Sequence, residues 1–96
     1  MSGLNMAGTI RDPKVIKQLT DRLRRIEGQA RGIQRMLEEG RSCEELITQL
    51  CALRNAVNKL AVQVIVENLE ACILQDNPEI DPEEALQEAK RLFLRL

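Results

Sequence analysis

Ninety-six residues are enough for one small domain, and a chain this short buries only a modest share of its surface alone. Hydrophobic residues make up 44% of it, yet Phe93 is the single aromatic and there is no histidine, so the core must be aliphatic and an imidazole base or ligand is excluded. The formal net charge of −1 does not announce a nucleic-acid binder, but its distribution is uneven: residues 11–37 carry eight basic and three acidic side chains, a net of +5, and residues 76–96 carry six acidic and three basic, a net of −3.

Residues 1–11, with Gly3 and Gly8, read as a disordered N-terminal arm, leaving 12–96 as a single all-α domain. A first helix is expected from about Pro13 to Glu39, with Asp12 as N-cap and Pro13 as the first helical residue. Its apolar positions 19, 23, 26, 30, 33 and 37 recur at alternating steps of four and three, a stripe for helix packing. Gly40 ends it.

Ser42, with Glu45 three residues on, forms a capping box that opens a second helix running without Gly or Pro to about Leu74. Leu46, Leu50, Leu53, Val57, Leu60 and Val64 form its main stripe, and from Leu60 to Leu69 it is apolar on more than one side. That excess surface predicts coverage by a second subunit. Asp76-Asn77-Pro78 breaks the helix. Asp81-Pro82-Glu83-Glu84 starts a third, roughly 82–95, with Ala85, Leu86, Ala89, Leu92 and Phe93 on its inner side. Three helices of unequal length, the longest with apolar surface to spare, predict an all-α oligomer.

Three cysteines, no signal peptide and no apolar run of membrane-spanning length predict a cytoplasmic protein with reduced thiols and no membrane partner. Cys43 and Cys72 stand at opposite ends of the second helix, 29 residues and therefore roughly 43 Å apart, too far to meet within one chain. Antiparallel pairing of two copies would bring Cys43 of one beside Cys72 of the other. Cys51 lies about 12 Å along the helix from Cys43, beyond direct bonding, and reads as core.

The segment Arg22-Leu-Arg-Arg-Ile-Glu-Gly-Gln-Ala-Arg-Gly-Ile, then Arg35-Met-Leu-Glu-Glu, Cys43, Ile47-Thr-Gln-Leu and Val66-Glu-Asn-Leu-Glu-Ala-Cys72, resembles the CsoR-type family of bacterial repressors (DUF156) over about residues 17–75. The resemblance implies three-helix subunits in a dimer of dimers (a homodimer within a homotetramer), long helices antiparallel at the dimer core, and binding of double-stranded operator DNA through a basic surface. It implies no enzymatic activity and no cofactor. Copper-sensing members place a histidine four residues before the second cysteine, where this chain has Asn68. An amide is a poor Cu(I) ligand beside imidazole or thiolate, so a three-coordinate Cys₂His site is excluded. The nickel- and cobalt-sensing branches need histidines that this chain lacks. The Cys43–Asn68–Cys72 arrangement is similar to the CstR branch, which senses reactive sulfur species (persulfides and polysulfides) through two thiols. A Cu(I)-responsive repressor holding the metal between Cys43 and Cys72 is the alternative.

Cys43 sits in the first turn of its helix, where the dipole stabilises negative charge, with Arg41 nearby and Glu44 and Glu45 opposing; Cys72 sits at the unfavourable end. Cys43 is therefore expected to attack an electrophilic sulfur, and Cys72 of the partner to resolve the persulfide into a disulfide, trisulfide or longer bridge. Without the resemblance, both would read as small buried residues.

On the first helix, Lys17, Arg24, Arg31 and Arg35 share one edge of the apolar stripe, and Arg22, Arg25 and Gln29 the other. Alone, such edges read as solvated; the resemblance makes them DNA-binding and puts Arg22 and Lys59 at positions associated with the operator. Lys59 stands where arginine is common, keeping the charge without bidentate geometry. With Phe93 the single aromatic, base stacking on single strands is disfavoured and duplex favoured. A thiol redox enzyme is disfavoured, since there is no Cys-x-x-Cys and no βαβ pattern. A plain helical assembly module would bind no duplex at all.

Overall fold

The computed structural model describes residues 10–74 and 81–96, less the side chains of Cys72 and Leu74. The expected arm falls mostly outside these residues, as does the Asp76-Asn77-Pro78 break. Three helices follow in order: α1 (Pro13–Glu38), α2 (Cys43–Leu74) and α3 (Pro82–Phe93). There is no strand among the described residues, and the all-α reading holds.

Each start is built as the sequence dictates. The Asp12 carboxylate accepts from the Lys14 backbone N–H at 2.9 Å, and that of Asp81 accepts from Glu83 N–H at 3.0 Å, with a proline leading each helix. At the head of α2 the Glu45 N–H donates to Ser42 Oγ, and Ser42 Oγ donates back to the Glu45 carboxylate, both at 3.2 Å. The end of α1 is a Schellman turn: Gly40 N–H donates to the Leu37 carbonyl and Arg41 N–H to the Met36 carbonyl. Gly40 has φ +72°, the left-handed conformation that glycine adopts without a Cβ penalty. α1 stops at Glu38 and α3 at Phe93, one and two residues short of expectation, because the chain then tightens into three-residue bonds from Gly40 N–H to the Leu37 carbonyl and from Arg95 N–H to the Leu92 carbonyl.

The tight turn at Gly40 folds α1 back along α2 as an antiparallel hairpin, and α3 packs on α2 as well; α1 and α3 do not touch among the described residues. The shape is open. The radius of gyration is 17.3 Å, where a compact chain of this length has about 13 Å. Among the described residues only Ile33, Ile65 and Ala89 are buried, one from each helix.

The expected apolar stripes are thus only half covered. On α1, Leu23 and Leu37 of the stripe are 55% and 62% exposed. On α2, Leu46, Leu53 and Leu60 are half-buried, whereas Leu50, Val57 and Val64 remain exposed. Leu86 and Phe93, expected on the inner side of α3, are exposed too. A subunit buried on two sides of α2 by its own helices leaves these residues to something outside the chain.

Candidate functional site: a thiol seam and a basic face

Cys43 is the first residue of α2, exposed and free. From it runs a seam at alternating steps of four and three: Cys43, Ile47, Leu50, Arg54, Val57, Ala61, Val64 and Asn68. Ile47, Leu50, Val57 and Val64 on it are exposed, and Asn68 is half-buried. Cys72 continues the seam four residues beyond Asn68; its backbone is helical and its side chain lies outside the described residues. An unbroken helix of 32 residues spans about 48 Å, so the two thiol positions of one chain are held apart by rigid backbone. Cys51 is half-exposed and free, less covered than a core residue. Arg54 interrupts the seam between Leu50 and Val57, exposed and without an ion-pair partner among the described residues. Its heptad spacing was the signal that marks it, and reading the stripe for apolar residues alone passes over it.

Arg41 does not serve Cys43 as the sequence reading expected. Its guanidinium is taken by the Glu45 carboxylate, Nε to Oε2 at 2.9 Å, with Glu39 at 3.6 Å on its other side. The bond to Glu45 raises the Arg41 pKa, and bonds from Arg41 and then Ser42 hold the Glu45 carboxyl below its ordinary 4.5. A shallow recess of about 300 Å³ lies beside this cluster, lined by Met36, Ser42, Thr48 and Gln49 among others.

The metal-ligating inventory is short. The chain has no histidine, and no group of three or more His, Cys, Asp or Glu side chains suited to a metal ion occurs among the described residues. Imidazole-based coordination therefore does not fit this chain.

The basic residues of α1 separate into two groups. Lys17 binds Asp21 at 2.9 Å, Arg24 reaches the same carboxylate at 3.8 Å, and Arg31 reaches Glu27 at 3.4 Å. The hydrogen bond from Lys17 lowers the Asp21 pKa most; desolvation opposes it, and the charges of Lys17, Arg24 and Arg25 add to the lowering. Arg22, Arg25 and Arg35 on α1 and Lys59 on α2 are exposed, with no carboxylate partner among the described residues. Gln29 is exposed on the edge that carries Arg22 and Arg25. No helix among the described residues is long and apolar enough to cross a membrane.

Comparison with known proteins fits this arrangement. Residues 16–95 match the family described as metal-sensitive transcriptional repressor. The chain is 36% identical over 76 residues to the copper-sensing transcriptional repressor CsoR of Bacillus subtilis, covering 79% of this chain and 75% of the relative. It is 39% identical over 77 residues to the copper-sensing repressor RicR of Mycobacterium tuberculosis, covering 78% and 80%. It is 36% identical over 81 residues to the transcriptional repressor RcnR of Escherichia coli K12, covering 84% and 87%. Among solved structures, the nickel-responsive transcriptional regulator InrS superimposes with a TM-score of 0.68 at 30% identity, covering 95% of this chain and 98% of that one. The three-helix fold, the uncovered seam and the matched sequence agree, and the chain belongs to the metal-sensitive, CsoR-type family of transcriptional repressors, which are not enzymes.

Proposed function

We propose that this repressor responds to reactive sulfur species through Cys43 of one subunit and Cys72 of another, as in the CstR branch, and releases its operator when they are bridged. The observation that supports it most is the donor set. The seam offers an exposed thiol at one end, Cys72 at the other, and Asn68 where copper sensors carry an imidazole. Antiparallel pairing of two α2 seams, in a homodimer that pairs again into a homotetramer, covers Ile47, Leu50, Val57 and Val64 and brings the thiol positions together.

The chemistry balances without a further oxidant. The Cys43 thiolate attacks the outer sulfur of a persulfide R–S–SH, forming Cys43–S–SH and expelling RS⁻. The Cys72 thiolate of the partner then attacks Sγ of Cys43, forming the intersubunit disulfide and releasing HS⁻. Two thiols lose two electrons, and the sulfane sulfur accepts both as sulfide. In the reduced cytoplasmic protein, the free cations of Arg22, Arg25, Arg35 and Lys59 hold duplex phosphates, and Gln29 and the partly paired Arg24 and Arg31 extend that face. The bridge pulls the ends of paired α2 helices together and shifts these cations off register. It must favour the non-binding form by a few kcal/mol to act as a switch.

Intact-mass analysis under denaturing, non-reducing conditions after persulfide treatment tests the reading. A covalent dimer lost in both Cys43→Ser and Cys72→Ser supports it, and operator affinity unchanged by the treatment overturns it. The copper-sensing relatives favour a second reading, Cu(I) held between the same thiolates. Operator release by Cu(I) at chelator-buffered concentrations, with no response to persulfide, would establish that one instead.

A further inference from the structure

Arg54 is the one charged residue in the seam of α2. It stands between Leu50 and Val57, both 45% exposed, and is itself exposed with no carboxylate partner among the described residues. The acidic residues of α2, Glu44, Glu45, Glu67 and Glu70, lie nine or more residues from it along the helix. On α1, Asp21 already binds Lys17, and Glu27 reaches Arg31. Nor does Arg54 belong with the cations of the basic face, since Lys59 falls about 140° round α2 from it. A guanidinium in an apolar seam weakens association, so its presence there calls for a reason.

The seam repeats every seven residues, so its apolar positions cannot fix their own alignment against a second copy. Setting Cys43 opposite position 72 of that copy sets Ile47 opposite Asn68, Arg54 opposite Ala61 and Val57 opposite Asn58. Arg54 then lies over a one-carbon side chain, with the amide oxygen of Asn58 beside it as an acceptor. The two copies of Arg54 stand roughly 10 Å apart along the axis. Sliding the pair by one heptad preserves the apolar contacts: Ile47 faces Ala61, and Leu50 faces Val57 and Asn58. But Arg54 now faces itself, and Cys43 faces Ile65, roughly 10 Å short of position 72. The opposite slide carries Cys43 beyond Leu74, the end of α2, and loses overlap. The one slide that competes is therefore the one that sets arginine against arginine.

We propose that Arg54 sets the register of two paired α2 helices, and that this register delivers Cys43 of one subunit to Cys72 of the other. In the slipped pair two guanidiniums meet in an apolar seam with no carboxylate between them. In the aligned pair each rests on the partner's Ala61. The arginine weakens the contact and in return makes it unique. This deepens the dithiol reading and rests on its antiparallel pairing, whatever the signal that bridges the thiols.

The test is diamide cross-linking of the full-length protein, with native mass measured alongside. Diamide takes two electrons and two protons from any two thiols that meet, so it reads proximity independently of persulfide chemistry. Wild type yields an intersubunit disulfide between Cys43 and Cys72, located by peptide mass mapping. In Arg54→Leu the assembly mass is unchanged and the rate of that cross-link falls by about tenfold, as the aligned register becomes a minor population. Arg54→Lys keeps the charge and stays within about twofold of wild type. Arg54→Cys reports the slip directly, by a disulfide joining the two copies of position 54. An unchanged cross-linking rate in Arg54→Leu overturns the proposal and leaves the dithiol reading intact. Loss of assembly in Arg54→Leu also overturns it, making the arginine a source of affinity. A wild type whose Cys43 and Cys72 do not join under diamide defeats the antiparallel pairing, and the proposal with it.

Discussion

Arg41 and Glu45 bind one another across the first turn of α2, each two residues from the exposed thiol of Cys43. The cation nearest the thiol in the sequence is therefore already neutralised by its partner. Removing the carboxylate while keeping the amide bulk releases it. Glu45→Gln is expected to raise the alkylation rate of Cys43 by about two- to threefold, the scale of an exposed charge pair. Arg41→Ala should leave that rate nearly unchanged. Equal rates in wild type and Glu45→Gln, followed by iodoacetamide labelling, would show that the guanidinium has no influence on the sulfur in either state.

Acid should loosen the turn between α1 and α2 before the rest of the subunit. The Glu45 carboxyl is held below its unfolded value of 4.5 by Arg41 and Ser42, and that of Asp21 below 3.8 by Lys17. A depressed folded-state pKa contributes stability that is present above the unfolded value and is lost as pH falls through the folded one. The loss therefore belongs below about pH 4.5, with no change between pH 6 and 8 from these groups. Ser42→Ala, which removes the cap without touching a charge, should cost about 1 kcal/mol at neutral pH. Urea unfolding from pH 3 to pH 8 reads both effects, and a pH-independent midpoint would contradict them.

Replacing Asn68 with histidine returns an imidazole to the seam four residues before Cys72. Asn68→His is expected to raise Cu(I) affinity by more than about tenfold, or about 1.4 kcal/mol. Copper should then release the variant from its operator. Competition against a Cu(I) chelator measures the gain. No gain would mean that position 68 and the thiols do not converge in the assembly.

A charge on the seam should separate the subunits. Leu50 and Val57 are both 45% exposed in the single subunit, so Val57→Glu leaves the monomer's own packing nearly untouched. In an antiparallel pair the same carboxylate would be buried and unpaired, at a cost of about 3–5 kcal/mol. Native mass or sedimentation should show monomer at micromolar concentrations where the wild type is assembled. Retention of the full mass would place the subunit contact elsewhere.

The helices themselves were legible from local chemistry. Asp12-Pro13, Ser42 with Glu45, and Asp81-Pro82 each fix a start through backbone hydrogen bonds made within three residues, and the structure contains all three. The packing was harder to read. A stripe such as Leu46, Leu50, Leu53, Val57 and Leu60 records only that these residues avoid water. It does not record what covers them, and in the structure Leu46, Leu53 and Leu60 are half-buried while Leu50 and Val57 stay exposed. The role of Arg41 was misread for a related reason: proximity in sequence put it beside Cys43, while the turn leading into α2 carries its guanidinium to Glu45. At Cys43 and Asn68 the legible part was elemental, a matter of which donor atoms the chain has. Their meeting in an assembly belongs to the proposal, because the sequence describes a neighbouring subunit only through periodicity.

Among the described residues Ile33, Ile65 and Ala89 make a small fully buried core, which leaves a single subunit with a narrow margin of stability. Association then adds to the stability of the subunit, and that contribution depends on how much of the protein the cell makes. Newly synthesised chains below that level are prey for proteases, and those above it survive as assembled repressor. Gene dosage, as much as any thiol chemistry, then decides how sharply the promoter closes.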